Sequence, residues 1–246
     1  MKDKQWYIGC SGFAYKEWKE VFYPAKLPQR SWFTYYTEHF NTLELNVTFY
    51  RFPTLKSLSG WREQAPEGFV FSAKVPRSIT HYKKLTGTET MLDDFYKLLR
   101  EGLGDKLGCV LFQMPPQFTY SEERLQAVLA AVQSNFDNVV EFRHASWWRP
   151  DVQAALAHAS ITFCGVSFPK IGHDEAVINT PLAYYRFHGV PRLFYSMYNE
   201  EFVSKIYDQL SASTAKDAYV YFNNTASTAA LTNARFFQSL LAKNQY

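Results

Sequence analysis

Apolar residues in this chain form short runs that alternate with stretches of helical spacing. The helical stretches repeat apolar residues every three or four positions, as do Trp32, Phe33, Tyr36 and Phe40, which is the period of an amphipathic helix. Eight short runs separate these stretches and predict β-strands at residues 7–12, 43–50, 69–75, 107–114, 139–144, 161–167, 184–188 and 219–223. Strand and helix therefore alternate along the whole chain.

This alternation predicts an α/β fold, a single closed parallel (β/α)8 barrel of the TIM type that forms one domain over residues 1–246. An open doubly wound sheet is the alternative. The sequence lacks the GxGxxG and GxxxxGK[ST] loops that most often accompany such a sheet. We expect an irregular sixth unit, because residues 169–181 are few and show no helical period.

Composition narrows the class of protein. Hydrophobic residues make up 47% of the chain and charged residues 20%, and no apolar run approaches the about 20 residues of a membrane helix, so we expect a soluble globular protein. Residues 1–6 lack the apolar segment of a signal peptide, which predicts a cytoplasmic location. The net charge of +3 is scattered and does not by itself indicate nucleic acid. Cys10, Cys109 and Cys164 are widely separated in strand-like segments, so we expect buried reduced thiols.

Polar side chains replace apolar ones at the carboxyl ends of the predicted strands, where the active site of a barrel enzyme lies. Strand alternation places Glu141 and Arg143 on one face and leaves His144, as a structural residue, on the other. Trp147 would either stack on a substrate ring or cap the core. The predicted catalytic residues are Glu44, Glu141 and His188, and the predicted substrate-binding residues are Ser11, Asn46, Lys74, Gln113, Arg143, Trp147, Arg186 and Asn223. We assign Ser167 to the same polar mouth and treat His81, on a loop, as a secondary candidate.

Each of these residues also has a structural interpretation. Lys74 would neutralise Glu44 on the preceding strand, and Arg143 would neutralise Glu141 two residues away. His188 would bind a backbone group rather than take part in catalysis. The prediction of a site rests on the convergence of polar residues from almost every strand rather than on any one pair.

Three kinds of chemistry are compatible with this mouth. Glu44 and Glu141 are the two carboxylates that glycoside hydrolysis needs at about 5–10 Å, although the cations nearby would lower their pKa values. Glu44, Glu141 and His188 would supply a divalent metal site, which the same cations disfavour. The third possibility is an anionic carboxylate or phosphate held by those cations, while His188 or a glutamate moves a proton. We expect no cofactor, with the divalent metal kept as an alternative.

Seven ordered motifs connect the chain to a known family. They are GCSGF at 9–13, FNTLELN at 40–46 with TFY at 48–50, ITH at 79–81, FQMPP at 112–116, EFRH at 141–144 with SW at 146–147, YRFHG at 185–189 and YFNN at 221–224. By these motifs the sequence resembles the YecE-like family, the domain-of-unknown-function family numbered 72, over essentially its whole length. The resemblance implies a TIM-barrel fold, in agreement with the eight units, and implies no particular reaction.

Two positions depart from the pattern that the resemblance implies. Family members usually carry Asp near the end of strand six, where this chain has Ser167. They also carry a glycine-containing turn after strand eight, whereas residues 225–228 contain no glycine. If that Asp binds a metal or moves a proton, this chain would be altered in that step.

We expect an enzyme, a hydrolase or an isomerase, that acts on a small polar or anionic ligand by acid/base chemistry. Its first alternative is a non-catalytic ligand-binding barrel, which Ser167 and the charge-neutralising pairs favour. Its second alternative is a nucleic-acid processing protein, which would need a basic groove lined by aromatic residues. We expect no membrane partner, and the sequence leaves the substrate and the oligomeric state open.

Overall fold

A computed structural model describes residues 4–243 and contains a sheet of nine parallel strands. The strands are β1 Gln5–Ser11, β2 Thr42–Leu45, β3 Val70–Lys74, β4 Leu107–Gln113, β5 Asp137–Glu141, β6 Thr162–Phe163, β7 Gly165–Ser167, β8 Leu182–Phe187 and β9 Asp217–Phe222. Every pairing between neighbours is parallel, and the order is β6-β5-β4-β3-β2-β1-β9-β8-β7.

The two ends of this order meet in one stretch of chain, which closes the barrel. Only Cys164 separates β6, which pairs with β5, from β7, which pairs with β8. The amide of Cys164 donates to the carbonyl oxygen of Val140 at 2.9 Å, so the ladder with β5 continues past β6. β6 and β7 together fill the sixth of eight positions, and the predicted closed barrel is confirmed.

Helices surround the barrel and follow the predicted alternation. They are α1 Trp32–Thr37, α2 Val47–Tyr50, α3 Leu55–Gln64, α4 Glu89–Leu103, α5 Glu122–Ala131, α6 Pro150–His158, α7 Glu200–Ala212 and α8 Ala229–Lys243. Local sequence explains several starts: Thr54 and Ser57 form a capping box before α3, Pro150 opens α6, and the Asn199 side chain caps α7. Residues 168–181, all of them described, contain no helix, which confirms the irregular sixth unit.

The predicted second strand is too long. β2 ends at Leu45, and Val47–Tyr50 is a single helical turn instead of the end of a strand. The hydroxyl of Thr48 donates to the carbonyl oxygens of Leu45, at 2.8 Å, and Lys74, at 2.5 Å, which draws the chain inward over the end of β3. The alternation of apolar residues through 43–50 therefore spans two elements.

The lower half of the barrel interior is packed with tyrosines and small hydroxyl residues. Tyr7 stacks on Tyr219 with 4.3 Å between ring centroids. The Tyr221 hydroxyl lies 2.5 Å from the Thr42 hydroxyl and 2.9 Å from that of Ser72. All three cysteines are buried and unpaired with one another, as predicted, and burial raises their pKa values. Aromatic rings and hydroxyl groups thus fill this part of the barrel interior.

Candidate functional site

A layer of fully buried charge lies directly above the tyrosines. Arg186, on β8, reaches across the barrel and donates through Nη2 to Glu44 on β2 and through Nη1 to Glu141 on β5. The hydroxyl of Tyr184 donates to the other oxygen of Glu44 at 2.8 Å. The exposed fraction of all three charged side chains is 0%. One guanidinium thus bridges two carboxylates that have no access to water.

Arg143 and His188 form the next level up. Arg143 donates through Nε to the second oxygen of Glu141, and its Nη2 lies 3.2 Å from Nε2 of His188. The other ring nitrogen of His188 lies 2.8 Å from the side-chain nitrogen of Asn223. Burial, with the charge of Arg143, lowers the pKa of His188 well below 6.5 against the opposing effect of Glu141. His188 is therefore neutral at physiological pH and orients its neighbours rather than carrying charge.

Glu141 is held ionised by these partners. Burial alone would raise the pKa of its carboxyl, but the charges of Arg143 and Arg186 outweigh burial and lower the pKa well below 4.5. A carboxylate so strongly paired is a poor proton donor or acceptor at neutral pH. The two predicted catalytic glutamates serve first as counter-ions for the arginines.

Lys74 is the buried cation that these carboxylates do not neutralise. Its Nζ lies 3.9 Å from the centroid of the Phe49 ring and has no hydrogen bond or ion pair to any residue within 4–243. The residue as a whole is 7% exposed. The predicted neutralisation of Glu44 by Lys74 is wrong, because Arg186 and Tyr184 occupy both oxygens of Glu44.

The surroundings of Lys74 favour the neutral amine. Burial, together with the charges of Arg186 and Arg143, lowers the pKa of Lys74 from 10.5 to about 7, although Glu141 and Glu44 oppose the change. A fall of this size corresponds to about 5 kcal/mol. The attraction of the Phe49 ring for an ammonium ion, about 0.5–2 kcal/mol, is smaller. Burial and the arginines therefore dominate, and the pKa of Lys74 lies close to neutral pH.

An open cavity of about 750 Å³ lies above these groups. Predicted residues that line it are Asn46, Lys74, Gln113, Arg143 and Asn223. Its walls also carry residues that sequence reasoning left out or set aside, namely Tyr15, Glu17, Phe49, Tyr50, Arg77, His81, Tyr82, Phe194, Tyr195, Thr225 and Ala226. Three cations and one carboxylate face this space, together with several aromatic rings, so it suits a small anion that carries an apolar or ring portion.

His81 is better placed than its position on a loop suggested. Its Nδ1 lies 2.9 Å from the Thr80 hydroxyl, and its Nε2 lies 3.3 Å from the side-chain nitrogen of Gln113. Burial, together with the charges of Lys74 and Arg143, lowers the pKa of His81 to about 4. Neutral His81 accepts a hydrogen bond from Gln113 through Nε2, which fixes both side chains at the wall. The sequence does contain a signal for His81, because residues 76–82 directly follow the carboxyl end of a strand, where the site of a barrel lies.

The remaining predicted residues lie outside the cavity lining. Glu44, Glu141, Arg186 and His188 lie beneath it in the charged layers described above. Ser11 is also buried, and its hydroxyl has no hydrogen-bond partner among residues 4–243, although its carbonyl oxygen accepts from Tyr15. The structure thus brings together Ser11 and nine other members of the predicted polar set. Two predicted residues, Trp147 and Ser167, lie elsewhere.

Trp147 belongs to the packing outside the barrel. Its indole stacks on Phe142 with 4.0 Å between centroids, and its Nε1 donates to the carbonyl oxygen of Phe118 at 2.5 Å. Its assignment to substrate binding is wrong, because the short helical turn Ala145–Trp147 directs the ring away from the mouth. The alternative interpretation, that Trp147 caps the core, is the correct one.

Ser167 faces the helices rather than the mouth. Its hydroxyl accepts from the Tyr198 hydroxyl at 2.8 Å, while the barrel interior at this position holds Cys164 and Val166. The alternation of side chains places residue 167 on the outer face of the interrupted strand. In this chain, position 167 therefore lies away from the charged layers, and the serine does not remove a group from them.

The donor groups do not fit a divalent metal. In the described part of the chain, no three His, Cys, Asp or Glu side chains converge as a ligand set. The oxygens of Glu44 and Glu141 already accept from Arg186, Arg143 and Tyr184, and His188 has Arg143 at hydrogen-bond distance. A metal at this place would face arginines instead of free ligands.

The fold and the site define a class: a closed parallel barrel with a buried arginine–carboxylate network beneath a cationic, aromatic mouth. The family is shown by a match of residues 7–246 to the family model described as "Protein of unknown function DUF72", and the chain belongs to this family.

Relatives of known structure have the same fold. A DUF72 family protein from Thermotoga maritima is 28% identical, with a TM-score of 0.87 over 97% of this chain and 99% of that one. Another from Enterococcus faecalis is 20% identical, with a TM-score of 0.81 over 98% of this chain and 99% of that one. UPF0759 protein YunF of Bacillus subtilis is 30% identical over 152 residues, which are 58% of this chain and 52% of that protein. The chain thus matches about half the length of this curated relative.

Among residues 4–243, no helix is both long and apolar enough to cross a membrane.

Proposed function

We propose that this protein is an enzyme that acts on a small anionic substrate at the barrel mouth, with Lys74 as the group that exchanges a proton. The observation that carries the proposal is the unpaired Nζ of Lys74, buried against Phe49 beside a cavity of about 750 Å³. A structural lysine is normally exposed or ion-paired, because a buried ammonium without a partner is costly. Such a cost is characteristic of functional positions.

The charged layers beneath the cavity support this assignment. Arg143 and Arg186 are neutralised by Glu141 and Glu44, so neither arginine needs Lys74 or an external anion for its stability. Their remaining positive potential nevertheless lowers the pKa of Lys74. The glutamates and His188, predicted to be catalytic, then act by setting this potential and by fixing Arg143. Proton transfer at neutral pH falls to Lys74, whose pKa of about 7 matches the working range.

The substrate class follows from the charge of the lining. Lys74, Arg77 and Arg143 are cationic when Lys74 is protonated, and Glu17 is the carboxylate on the wall. Arg143 engages Glu141 and His188 through Nε and Nη2, while Nη1 has no hydrogen bond within the described residues and remains available for an anion. Carboxylate and phosphate oxygens are the usual partners of such a guanidinium. We expect hydrolysis or isomerisation of such a compound.

Calorimetry with inorganic phosphate tests the binding and protonation steps. An anion beside Lys74 favours the ammonium form, so binding at pH 8 should take up protons, and the observed enthalpy should depend on the ionisation enthalpy of the buffer. Lys74→Met should abolish this dependence, and Arg143→Gln should weaken binding by roughly 10-fold. Lys97→Met, on the exposed side of α4, is the control and should change neither quantity.

Turnover separates an enzyme from the alternative, a binding barrel. A screen of phosphorylated and carboxylated small molecules, followed by mass spectrometry, should find a product whose formation requires Lys74 and survives Lys97→Met. Phosphate binding without proton uptake, unaffected by Lys74→Met, would contradict the assignment of Lys74. Binding with proton uptake but without turnover across the screen would favour the binding barrel.

Exposed aromatic rings on the rim favour a second candidate function, the binding of single-stranded nucleic acid. The Arg77 guanidinium lies 5.7 Å from the Tyr50 ring centroid and 5.5 Å from that of Tyr82, and Arg192 lies 4.0 Å from that of Tyr195. Stacking rings beside cations are the elements of such a surface. Titration with fluorescent DNA and RNA oligonucleotides at several salt concentrations tests it, and negligible salt-dependent affinity would reject it.

A further inference from the structure

We propose that Lys74 is a nucleophile that forms a covalent imine with its substrate, and that the substrate is a small aldehyde or ketone bearing a carboxylate or phosphate. This inference rests on the proposed function, because it uses the same cavity and the same anion-binding arginine. It adds a covalent bond and a carbonyl group, which the proposed function does not require.

The first step of the argument is the availability of the amine. Glu44 and Glu141 are the carboxylates whose charge acts on Lys74, and both already have hydrogen-bond partners. Glu44 accepts from Arg186 and Tyr184. Glu141 accepts from Arg143 and Arg186. Lys74 therefore has no counter-ion among the described residues, although Glu44 and Glu141 lie in the buried layer below it. A lysine that is desolvated beside other cations is the form in which this residue acts as a nucleophile.

The second step is access. The aliphatic stem of Lys74 is buried, its Nζ lies over the face of Phe49, and the residue lines the open cavity. No described side chain forms a hydrogen bond with the amine that an incoming carbonyl would have to displace. The lone pair of the neutral amine is therefore free to meet a carbonyl carbon in the cavity.

The third step concerns the groups around the adduct. Asn46 lines the cavity, and its Oδ1 is buried without a hydrogen-bond partner in residues 4–243. A hydroxyl formed from the substrate carbonyl would satisfy this acceptor. On another wall, Arg143 offers its unused Nη1 to the anionic group. Asn46 thus suits the carbonyl group and Arg143 suits the anionic group. The substrate that fits this cavity therefore carries both groups.

The covalent step balances without an oxidant or a reductant. The lone pair of Nζ adds to the carbonyl carbon, the π pair of the carbonyl moves to oxygen, and one N–H proton is transferred to that oxygen. The hydroxyl is then protonated from solvent and leaves as water, while the nitrogen lone pair forms the C=N bond of an iminium ion. The iminium group withdraws electrons from the carbon next to the C=N carbon and so labilises the proton on that neighbouring carbon. Water then adds to the C=N carbon, the C–N bond breaks, and the amine and a carbonyl product are released.

Reductive trapping of the full chain tests this step. The protein is incubated at pH 7.5 with pyruvate and sodium cyanoborohydride, and peptide mapping by mass spectrometry locates the reduced adducts. Acetone, in which a methyl group replaces the carboxylate, is the matched neutral probe. Lys97 in the same samples reports the reactivity of an ordinary exposed lysine.

We expect pyruvate to label Lys74 at least roughly 10-fold faster than Lys97, since the pKa of Lys74 is lowered to about 7 and much of its amine is therefore neutral at this pH. The ratio of Lys74 to Lys97 labelling should fall by roughly 10-fold with acetone and in Arg143→Gln, which removes the anion-binding group. Lys74→Arg should lose the adduct while its circular dichroism spectrum stays that of the wild type.

The outcomes separate this inference from the proposed function. Labelling of Lys74 no faster than Lys97, in protein that still takes up protons on binding phosphate, would overturn the imine and leave the proposed function standing. Absence of both labelling and phosphate binding would overturn both. Equal selectivity for pyruvate and acetone would overturn the anionic carbonyl compound as the substrate class.

Discussion

Replacement of Arg186 by methionine should destabilise the barrel strongly. This guanidinium is fully buried and bridges Glu44 and Glu141, which are equally buried. Removal of one partner of a buried ion pair costs about 3–5 kcal/mol, because the other charge remains in a medium of low polarity. Here two carboxylates lose a partner, so the upper part of this range applies. For a domain of this size a loss of about 4–5 kcal/mol corresponds to a fall in Tm of roughly 8–20 °C.

Urea unfolding at pH 7, followed by both circular dichroism and tryptophan fluorescence, measures the free energy of unfolding. Arg149→Met is the matched control, because Arg149 and Asp151 also form a bidentate pair but are 47% and 58% exposed. The loss there should be within about 1 kcal/mol. A double variant in which Arg186→Met is combined with Glu44→Gln should recover part of the stability, since Glu44 then carries no unpaired charge and Glu141 keeps Arg143 as its partner.

The pH dependence has a definite sign. In the wild type the folded-state pKa of Glu141 is depressed, so this group contributes stability above its ordinary pKa of 4.5 that is lost as the pH falls through the folded value. In Arg186→Met the ionised carboxylates oppose folding, and proton uptake relieves them as the pH falls. The difference in unfolding free energy between wild type and variant should therefore narrow from pH 7 to pH 4. A loss below about 1 kcal/mol at pH 7, equal to that of Arg149→Met, would refute the reasoning.

Two further predictions concern stability. Lys74→Met should stabilise the protein at pH 7, because burial of an ammonium opposes folding. In urea unfolding experiments, the gain in the free energy of unfolding should shrink by up to about 3 kcal/mol between pH 7 and pH 9.5, because the unfolded lysine approaches its own pKa of 10.5. A pH-independent gain would contradict this prediction. Gly9→Ala should prevent or severely impair folding, because a Cβ there would lie 2.1 Å from the carbonyl oxygen of Thr42, whereas Gly60→Ala, inside α3 and with open space around it, should stabilise by about 1 kcal/mol; comparable thermal stabilities of the two variants would be the contrary result.

The fold was accessible from the sequence because its signals are local. Each strand–helix unit is marked by an apolar run of strand length between stretches of helical spacing. The short segment 169–181, which has no helical spacing, marks the irregular sixth unit. The limit of local reasoning is visible at residues 43–50, where the same alternation crosses from β2 into a helical turn. The bonds of Thr48 to Leu45 and to Lys74 make that turn, and Lys74 belongs to another strand.

The electrostatic pairing of the site was only partly accessible. Glu141 with Arg143, two residues apart on one strand, was predicted and is observed. Glu44 binds Arg186, which lies 142 residues away and reaches it across the barrel, so no spacing in the sequence indicates this pair. Because Glu44 is paired with Arg186, it is not the counter-ion of Lys74. The unpaired state of Lys74 therefore cannot be predicted from the sequence.

Residue orientation at irregular points was the other obstacle. Ser167 follows a break at Cys164 within the sixth strand position, and Trp147 lies in a short helical turn after β5. In both places the backbone is not a regular strand, so strict alternation of side chains does not predict which way a residue faces. The aromatic wall of the cavity was missed for a related reason: Phe49 and Tyr50 belong to α2, which had been assigned to a strand.

The titration of Lys74 tests the central claim most directly. Protein labelled with ¹³C and ¹⁵N at lysine is followed by NMR from pH 5 to pH 11, and the Lys74 signal is assigned by its loss in Lys74→Arg. We expect a midpoint near pH 7 for Lys74, because burial and the charges of Arg186 and Arg143 lower its pKa to about 7. A Lys74 midpoint near the ordinary lysine value of 10.5 would contradict the account.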